Sequence, residues 1–193
     1  MKSKKLNYCN NNVIEVAKSL LGNEIFTNIN GEITSGIITE TEAYNGENDK
    51  ASHAFMGKKT KRNEAMYMKG GVCYVYLCYG IHYLLNIVTA KVNCPKAVLI
   101  RAIKPVSGID IMLERRSKLK FFKNDHIGPG KVSKSLGINL DHNKEKLNSK
   151  KIWIEEKKII EKKILAKMRI GIEYAEEDAL LPYRFILDSS VSF

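Results

Sequence analysis

Apolar residues recur at helical spacing once, near the start of the chain, and at alternating spacing through most of the remainder. Val13, Ile14, Ala17, Leu20 and Leu21 form one helical stripe. Asn12 stands where an N-cap accepts from the first free N–H groups, and Gly22 suits the left-handed position after the last turn. The spacing therefore predicts a helix over 13–21. Two alternating runs, Glu24 to Ile29 and Glu32 to Tyr44, flank Asn30-Gly31, a strong signal for a two-residue hairpin turn. A third run, Val72 to Asn86, is the most aromatic part of the chain. Tyr74 and Tyr76 share one strand face there, Val75, Leu77 and Tyr79 share the other, and Gly80 offers a sharp turn. Ala97 to Ile103 reads as a strand that Lys104-Pro105 stops. Ser107-x-x-Asp110 reads as a capping box opening a helix with Ile109, Met112 and Leu113 inward. Gly128-Pro129-Gly130-Lys131 leads into a short helix over 132–136 closed by Gly137. Asp141 to Lys163 reads as a solvent-exposed hairpin around Ile152-Trp153-Ile154, followed by strands over Ile164 to Ile172 and Tyr183 to Leu187. There is no internal repeat and no low-complexity linker. The pattern predicts one mixed α/β (α+β) domain over 1–193, largely antiparallel, with residues 1–11 as a candidate flexible lead.

Three places depart from what a core strand or an ordinary surface needs. In Ile38 to His53, period 2 puts Glu40, Glu42 and Tyr44 on one face, where a core strand would carry aliphatics. The strand breaks at Asn45-Gly46, and a polar loop returns the chain to His53, so a carboxylate, a ring and an imidazole could line one small space. The alternative is an edge strand with a wetted face followed by a surface loop. Arg101 is the single charge within AVLIRAI; it needs a carboxylate partner or a cavity to line. Lys58 to Arg62, KKTKR, reads either as a solvated run or as a phosphate contact, and Arg115 to Lys123 carries five further positive charges. Gly128 to Lys131 at a helix start reads either as an anion site built on backbone N–H groups or as a plain turn.

Composition narrows the class. A chain of 193 residues, 44% apolar and 27% charged, has the make-up of a globular protein with a real core. The net charge of +11 favours a polyanionic partner, although only six of the 32 basic residues are Arg and lysine enrichment also reflects genome bias. Cys9, Cys73, Cys78 and Cys94 form no C-x-x-C pair and have no accompanying His spacing, which argues against a zinc or iron–sulfur site. The N-terminus lacks an apolar leader and no run approaches a membrane span, so a cytoplasmic protein without membrane association is expected.

Taken in order, several elements resemble the alkyladenine (N-methylpurine, 3-methyladenine) DNA glycosylase family. They are E-T-E-A-Y at Glu40 to Tyr44 with His53 nine residues on, and T-x-R-N at Thr60 to Asn63. Then come Y-x-Y-x-x-Y-G at Tyr74 to Gly80, Asn86, L-I-R-A at Leu99 to Ala102, G-P-G-K at Gly128 to Lys131, and R-I-G-I near the C-terminus. The resemblance spans roughly residues 12–190. Departures are Lys58 and Lys59 where the family often has Arg, Lys61 where it often has Pro, and the lack of a long N-terminal tail.

The resemblance implies a curved sheet with peripheral helices and a protruding hairpin that enters DNA. It implies a monofunctional glycosylase, acting as a monomer on damaged double-stranded DNA, with no metal or organic cofactor. Its substrates would be 3-methyladenine, 7-methylguanine, hypoxanthine and ethenoadenine. By resemblance Glu42 activates water and steadies the sugar cation, with Arg101 holding the water or the carboxylate; Glu40 is structural. Tyr44 and His53 sandwich the flipped purine, Tyr76 closes the pocket, Asn86 collides with the guanine 2-amino group, and Leu99 completes the wall. Tyr79 fills the gap in the duplex, entering from the minor groove. Lys58, Lys59, Thr60, Arg62 and Lys131 meet the phosphates. The alternative reading is a non-catalytic basic nucleic-acid-binding protein, which explains the charge and the tyrosines but not the carboxylate-rich strand or Arg101. Nucleotide chemistry through Gly128 to Lys131 lacks the spacing of a P-loop.

Overall fold

The computed structural model describes residues 6–121, 125–157 and 163–188. The first helix, α1 (Val13–Leu20), starts where Asn12 Oδ1 accepts from Ile14 N at 3.1 Å and Glu15 N at 3.3 Å, a cap worth about 1 kcal/mol. Leu21 falls just outside it, and Gly22 takes the left-handed conformation (φ 79°) that ends the helix. The strands β1 (Glu24–Ile29) and β2 (Glu32–Tyr44) pair antiparallel around Asn30 and Gly31, both at positive φ as a tight primed turn requires. The aromatic run forms β3 (Cys73–Cys78) and β4 (His82–Thr89), joined by Tyr79, Gly80 and Ile81.

Next comes β5 (Lys96–Ser107), which does not stop at Pro105. Its second edge is held by β4 as far as Leu99 and by residues 126–128 as far as Ile103, and beyond that the ladder continues with β2; a proline there forfeits no bond to a second neighbour. The expected capping box also fails. Gly108 at φ 67° is the N-cap of α2 (Ile109–Arg115) and provides no side-chain cap, while Ser107 remains strand. Met112 is buried, but Ile109 stays 43% exposed, so the inward stripe is narrower than expected. The Gly-Pro-Gly turn leads into α3 (Pro129–Ser135), with Pro129 at the first helical position, where its missing N–H costs nothing.

The segment expected to form an exposed hairpin instead supplies an edge strand, β6 (Ile152–Glu155), on β1. Ile152 is fully buried and Trp153 stacks flat on Phe26, so burial against β1 outweighs the surrounding charges. The last two strands, β7 (Ile164–Lys167) and β8 (Arg184–Leu187), pair with each other, and β8 also pairs with β2. The expected strand over 164–172 ends at Lys167, and Ile170 to Ile172 line a cavity instead.

Among the described residues the result is one eight-stranded, wholly antiparallel sheet in the order β3-β4-β5-β2-β1-β6, with β8 and β7 attached beside β2. The sheet curls into a half-barrel. β2 is its hub: one edge pairs with β5, the other with β1 early and β8 late. Ile38 and Ala43 of β2 and Val98 and Ile100 of β5 join Val13, Val16, Ala17 and Leu20 of α1 in the main core. The opposite face of the same strands carries Glu40, Glu42, Tyr44, Leu99 and Arg101, the side free to build a site. No helix among the described residues is long and apolar enough to cross a membrane.

Candidate active site

Two compensating irregularities in the β2–β5 ladder set the site. Ile38 pairs with Ile103, Glu40 with Ala102 and Thr41 with Ile100, so β2 has an extra residue at Thr39 and β5 one at Arg101. Bulges of this kind re-aim a side chain without losing the strand. Arg101 then reaches both carboxylates of β2: its Nε lies 3.2 Å from Glu40 Oε1 and its Nη1 3.3 Å from Glu42 Oε1. Arg184 of β8 meets the same Glu40 oxygen at 3.0 Å. The partner that Arg101 demanded is thus the pair of carboxylates on the neighbouring strand, and the wetted-edge alternative falls away because all three are buried.

Glu42 has no exposed surface. Its Oε1 also accepts from Ile170 N at 3.0 Å, and its Oε2 accepts from the Tyr44 hydroxyl at 2.9 Å. Burial pushes its carboxyl above the ordinary range, against the pull of Arg101 and of the two hydrogen bonds. The carboxylate therefore sits one layer behind the wall, covered by Tyr44, Arg101 and Ile170, instead of lining the space as the sequence suggested.

In front of it lies a cavity of about 650 Å³, within the range of sites for small organic groups. Tyr44, His53, Tyr76, Asn86, Leu99 and Arg101 all line it, although they come from four strands and a loop. The His53 ring meets Tyr76 edge-on, centroids 4.6 Å apart, and its Nδ1 lies 2.7 Å from the buried Tyr74 hydroxyl. Burial, with Arg62 and Lys58 nearby, pulls the imidazole down to about 4, so it is neutral near pH 7. Asn86, buried opposite Tyr74 and Leu99, donates its amide to the Tyr74 carbonyl at 3.2 Å.

Tyr79 stands at the lip, 89% exposed and at φ 50°. It packs into no sheet. Ile81 beside it is also exposed, so the β3–β4 hairpin presents an apolar tip to solvent. Arg62 and Lys131 line the cavity mouth, whereas Lys58, Lys59 and Thr60 do not. Thr60 is occupied within its own loop: its N–H and hydroxyl both donate to Asn63 Oδ1, while Asn63 Nδ2 ties back to the carbonyls of His53 and Lys58. The T-x-R-N element thus carries a latch that holds His53 in place. Arg62 lies over the Tyr76 ring at 5.0 Å. The basic run at Arg115 to Lys123 is described to Phe121; its last two residues lie outside the described residues. Among the described residues, no group of three or more His, Cys, Asp or Glu could hold a metal ion.

Several contributors escaped the sequence reading. Tyr174, 66% exposed, lines the cavity, and Tyr74 lines it too and holds the His53 ring. Asp49 and Arg169 form a fully buried pair that ties the loop after β2 to the R-I-G-I segment. The only signal for Arg169 was its place in that motif.

Comparison with known proteins bears on this geometry. Residues 7–191 match the family model described as methylpurine-DNA glycosylase. A Chlamydia felis protein provisionally named 3-methyladenine DNA glycosylase is 50% identical over 184 residues, covering 94% of this chain and 93% of its own. A Chlamydia pneumoniae protein of the same name is 48% identical, over 93% and 92%. One from Clostridium acetobutylicum, again so named, is 42% identical, over 90% and 88%.

Proposed function

The chain belongs to the methylpurine-DNA glycosylase family, and from that premise we propose that it excises damaged purines from duplex DNA by hydrolysis with a carboxylate-activated water. The observation that carries the proposal is Glu42, fully buried and clamped by Arg101, directly behind a cavity walled by aromatic rings. Its substrates are 3-methyladenine, 7-methylguanine, hypoxanthine and ethenoadenine, taken from the duplex as flipped nucleotides by a protein working as a monomer.

Unstacking a base costs a few kcal/mol, least at a damaged pair. Tyr79 on the hairpin tip fills the vacated space from the minor groove. The extruded purine enters between Tyr44 and His53 with Tyr76 at its edge; each stacking contact is worth ~1–3 kcal/mol and tolerates several bases. Rejection of guanine falls to Asn86, whose amide occupies the room that a 2-amino group needs, so discrimination comes from a clash as well as from attraction.

As the N-glycosidic bond breaks, its electron pair leaves with the base and positive charge builds on the sugar. Glu42 stabilises that charge and accepts the proton of the water whose oxygen bonds to C1′. An ionised carboxylate offers about four lone-pair sites. Ile170 N and Arg101 use those of Oε1 and Tyr44 uses one on Oε2, which leaves one on Oε2 for the water. Arg101 keeps the oxygen it holds from turning away, and Glu40 keeps Arg101 in place. Arg62, Lys131 and the exposed Lys58 and Lys59 meet the phosphates on either side, with Thr60 shaping their loop.

The test is Glu42→Gln in single-turnover excision from a duplex carrying one lesion. The variant should bind a duplex with an abasic-site analogue normally and lose on the order of 10²–10⁴-fold in rate, the contribution of a general base. A near-normal rate would remove Glu42 from the mechanism. Wild-type protein that binds methylated duplex tightly yet leaves no alkali-labile sites would instead mark a non-catalytic binding protein.

A further inference from the structure

Arg169 is a buried charge beside the site, and the hydrolysis itself gives it no task. Its side chain has no exposure, and neither it nor Asp49 lines the cavity. The guanidinium forks onto Asp49, Nη1 to Oδ2 at 2.6 Å and Nη2 to Oδ1 at 2.9 Å. The same two nitrogens donate to the carbonyls of Ala43 and Asp178, both at 3.0 Å. Asp49 in turn accepts from Asn45 N at 2.9 Å and Ala51 N at 3.0 Å, so its carboxylate takes four N–H bonds and is saturated. Three stretches of chain far apart in sequence therefore meet on one ion pair: the end of β2, the loop that carries His53, and 169–178.

Burying both charges costs several kcal/mol each, and well-packed apolar residues often serve stability as well. What a guanidinium adds is a fixed plane and fixed bond directions. Here the plane lies over the Tyr44 ring at 4.9 Å, with Tyr183 at 5.4 Å. Since Arg169 is absent from the cavity wall and Tyr44 is part of it, the guanidinium backs the ring from behind. The adjoining residue, Ile170, sends its N–H to Glu42. One rigid group thus touches the stacking ring directly and fixes the backbone that orients the carboxylate.

We propose that Arg169, held by Asp49, is a positioning residue that keeps the Tyr44 ring and the Glu42 carboxylate in register, so that a stacked purine presents its sugar to the activated water. This inference rests on the glycosylase reading of the site. It is tested with Arg169→Lys, which keeps the charge and loses the fork, and with Asp49→Asn, which keeps one acceptor oxygen. Three quantities are measured for each: the circular dichroism melt, affinity for a duplex with an abasic-site analogue, and single-turnover excision at saturating enzyme.

Both variants should hold the abasic duplex within about threefold of wild type, since that ligand has no base to stack. Excision should fall on the order of 10²-fold, the loss expected when reacting groups shift by ~1 Å. Wild-type excision rates in folded variants would overturn the proposal alone. Parallel losses of binding and rate that track the folded fraction, or failure of both variants to fold, would make Arg169 a fold determinant and overturn it too. Wild-type protein that releases no base would end the glycosylase reading, and this inference with it.

Discussion

At the scale of one residue, Tyr44 joins the cavity to the buried carboxylate behind it. Its ring lines the cavity while its hydroxyl donates to the carboxylate two positions earlier, which only a strand's alternation allows. The hydroxyl stabilises the ionised form of Glu42, whose carboxyl burial has already raised. Tyr44→Phe removes a donor to the carboxylate, so the Glu42 pKa should rise further and the base form should be lost at a higher pH. The acid limb of the single-turnover pH–rate profile should therefore move upward in the variant; an unmoved limb would separate this hydroxyl from the working base. His53 titrates at about 4, below an ordinary imidazole, and should not shape the profile between pH 6 and 8. Glu42 and Arg101 were legible in the sequence because a charge in an apolar strand requires an answering charge. Asp49 and Arg169 were not: neither interrupts an apolar run, and 120 positions separate them.

At the scale of the element, the β3–β4 hairpin is built to project. Tyr79 adopts a left-handed conformation uncommon for a residue with a side chain, and an added Cβ at Gly80 would meet nothing within 4 Å. An exposed ring at such a tip gains little from the fold, so its removal should cost the fold little. Tyr79→Ser is expected to melt within a degree or two of wild type, since exposed substitutions stay within about 0.5 kcal/mol, while extrusion of a 2-aminopurine reporter and excision from duplex DNA both decline. A large drop in melting temperature with normal extrusion by the folded fraction would defeat the wedge. The alternation and the Tyr-Gly turn made this hairpin readable from the sequence. Pro105 and the Ser107 capping box misled for a shared reason: local signals could not show that β5 has no second neighbour at Pro105, or that Gly108 would take the cap.

Over the whole molecule, the order of the motifs pointed to the family, but the path of the sheet was not readable. The β1–β6 and β2–β8 pairings join segments more than a hundred positions apart, and no local pattern encodes them. The mixed charges around Ile152 disguised an edge strand that Phe26 and Trp153 seal. That seal gives the protein a built-in optical reporter. Trp153 is the chain's only tryptophan, its indole lies within 3° of the Phe26 plane, and its N–H donates to Glu155 at 3.0 Å. It belongs to β6, at the end of the strand order opposite β3 and the hairpin tip. Trp153 does not line the cavity, so light absorbed only by tryptophan should report whether the edge strand is attached and not whether the cavity is filled. Denaturant should shift the emission to longer wavelength, while titration with lesion-bearing duplex should leave its position unchanged. A shift on adding DNA would mean that the bound duplex, or a movement it sets off, reaches β6.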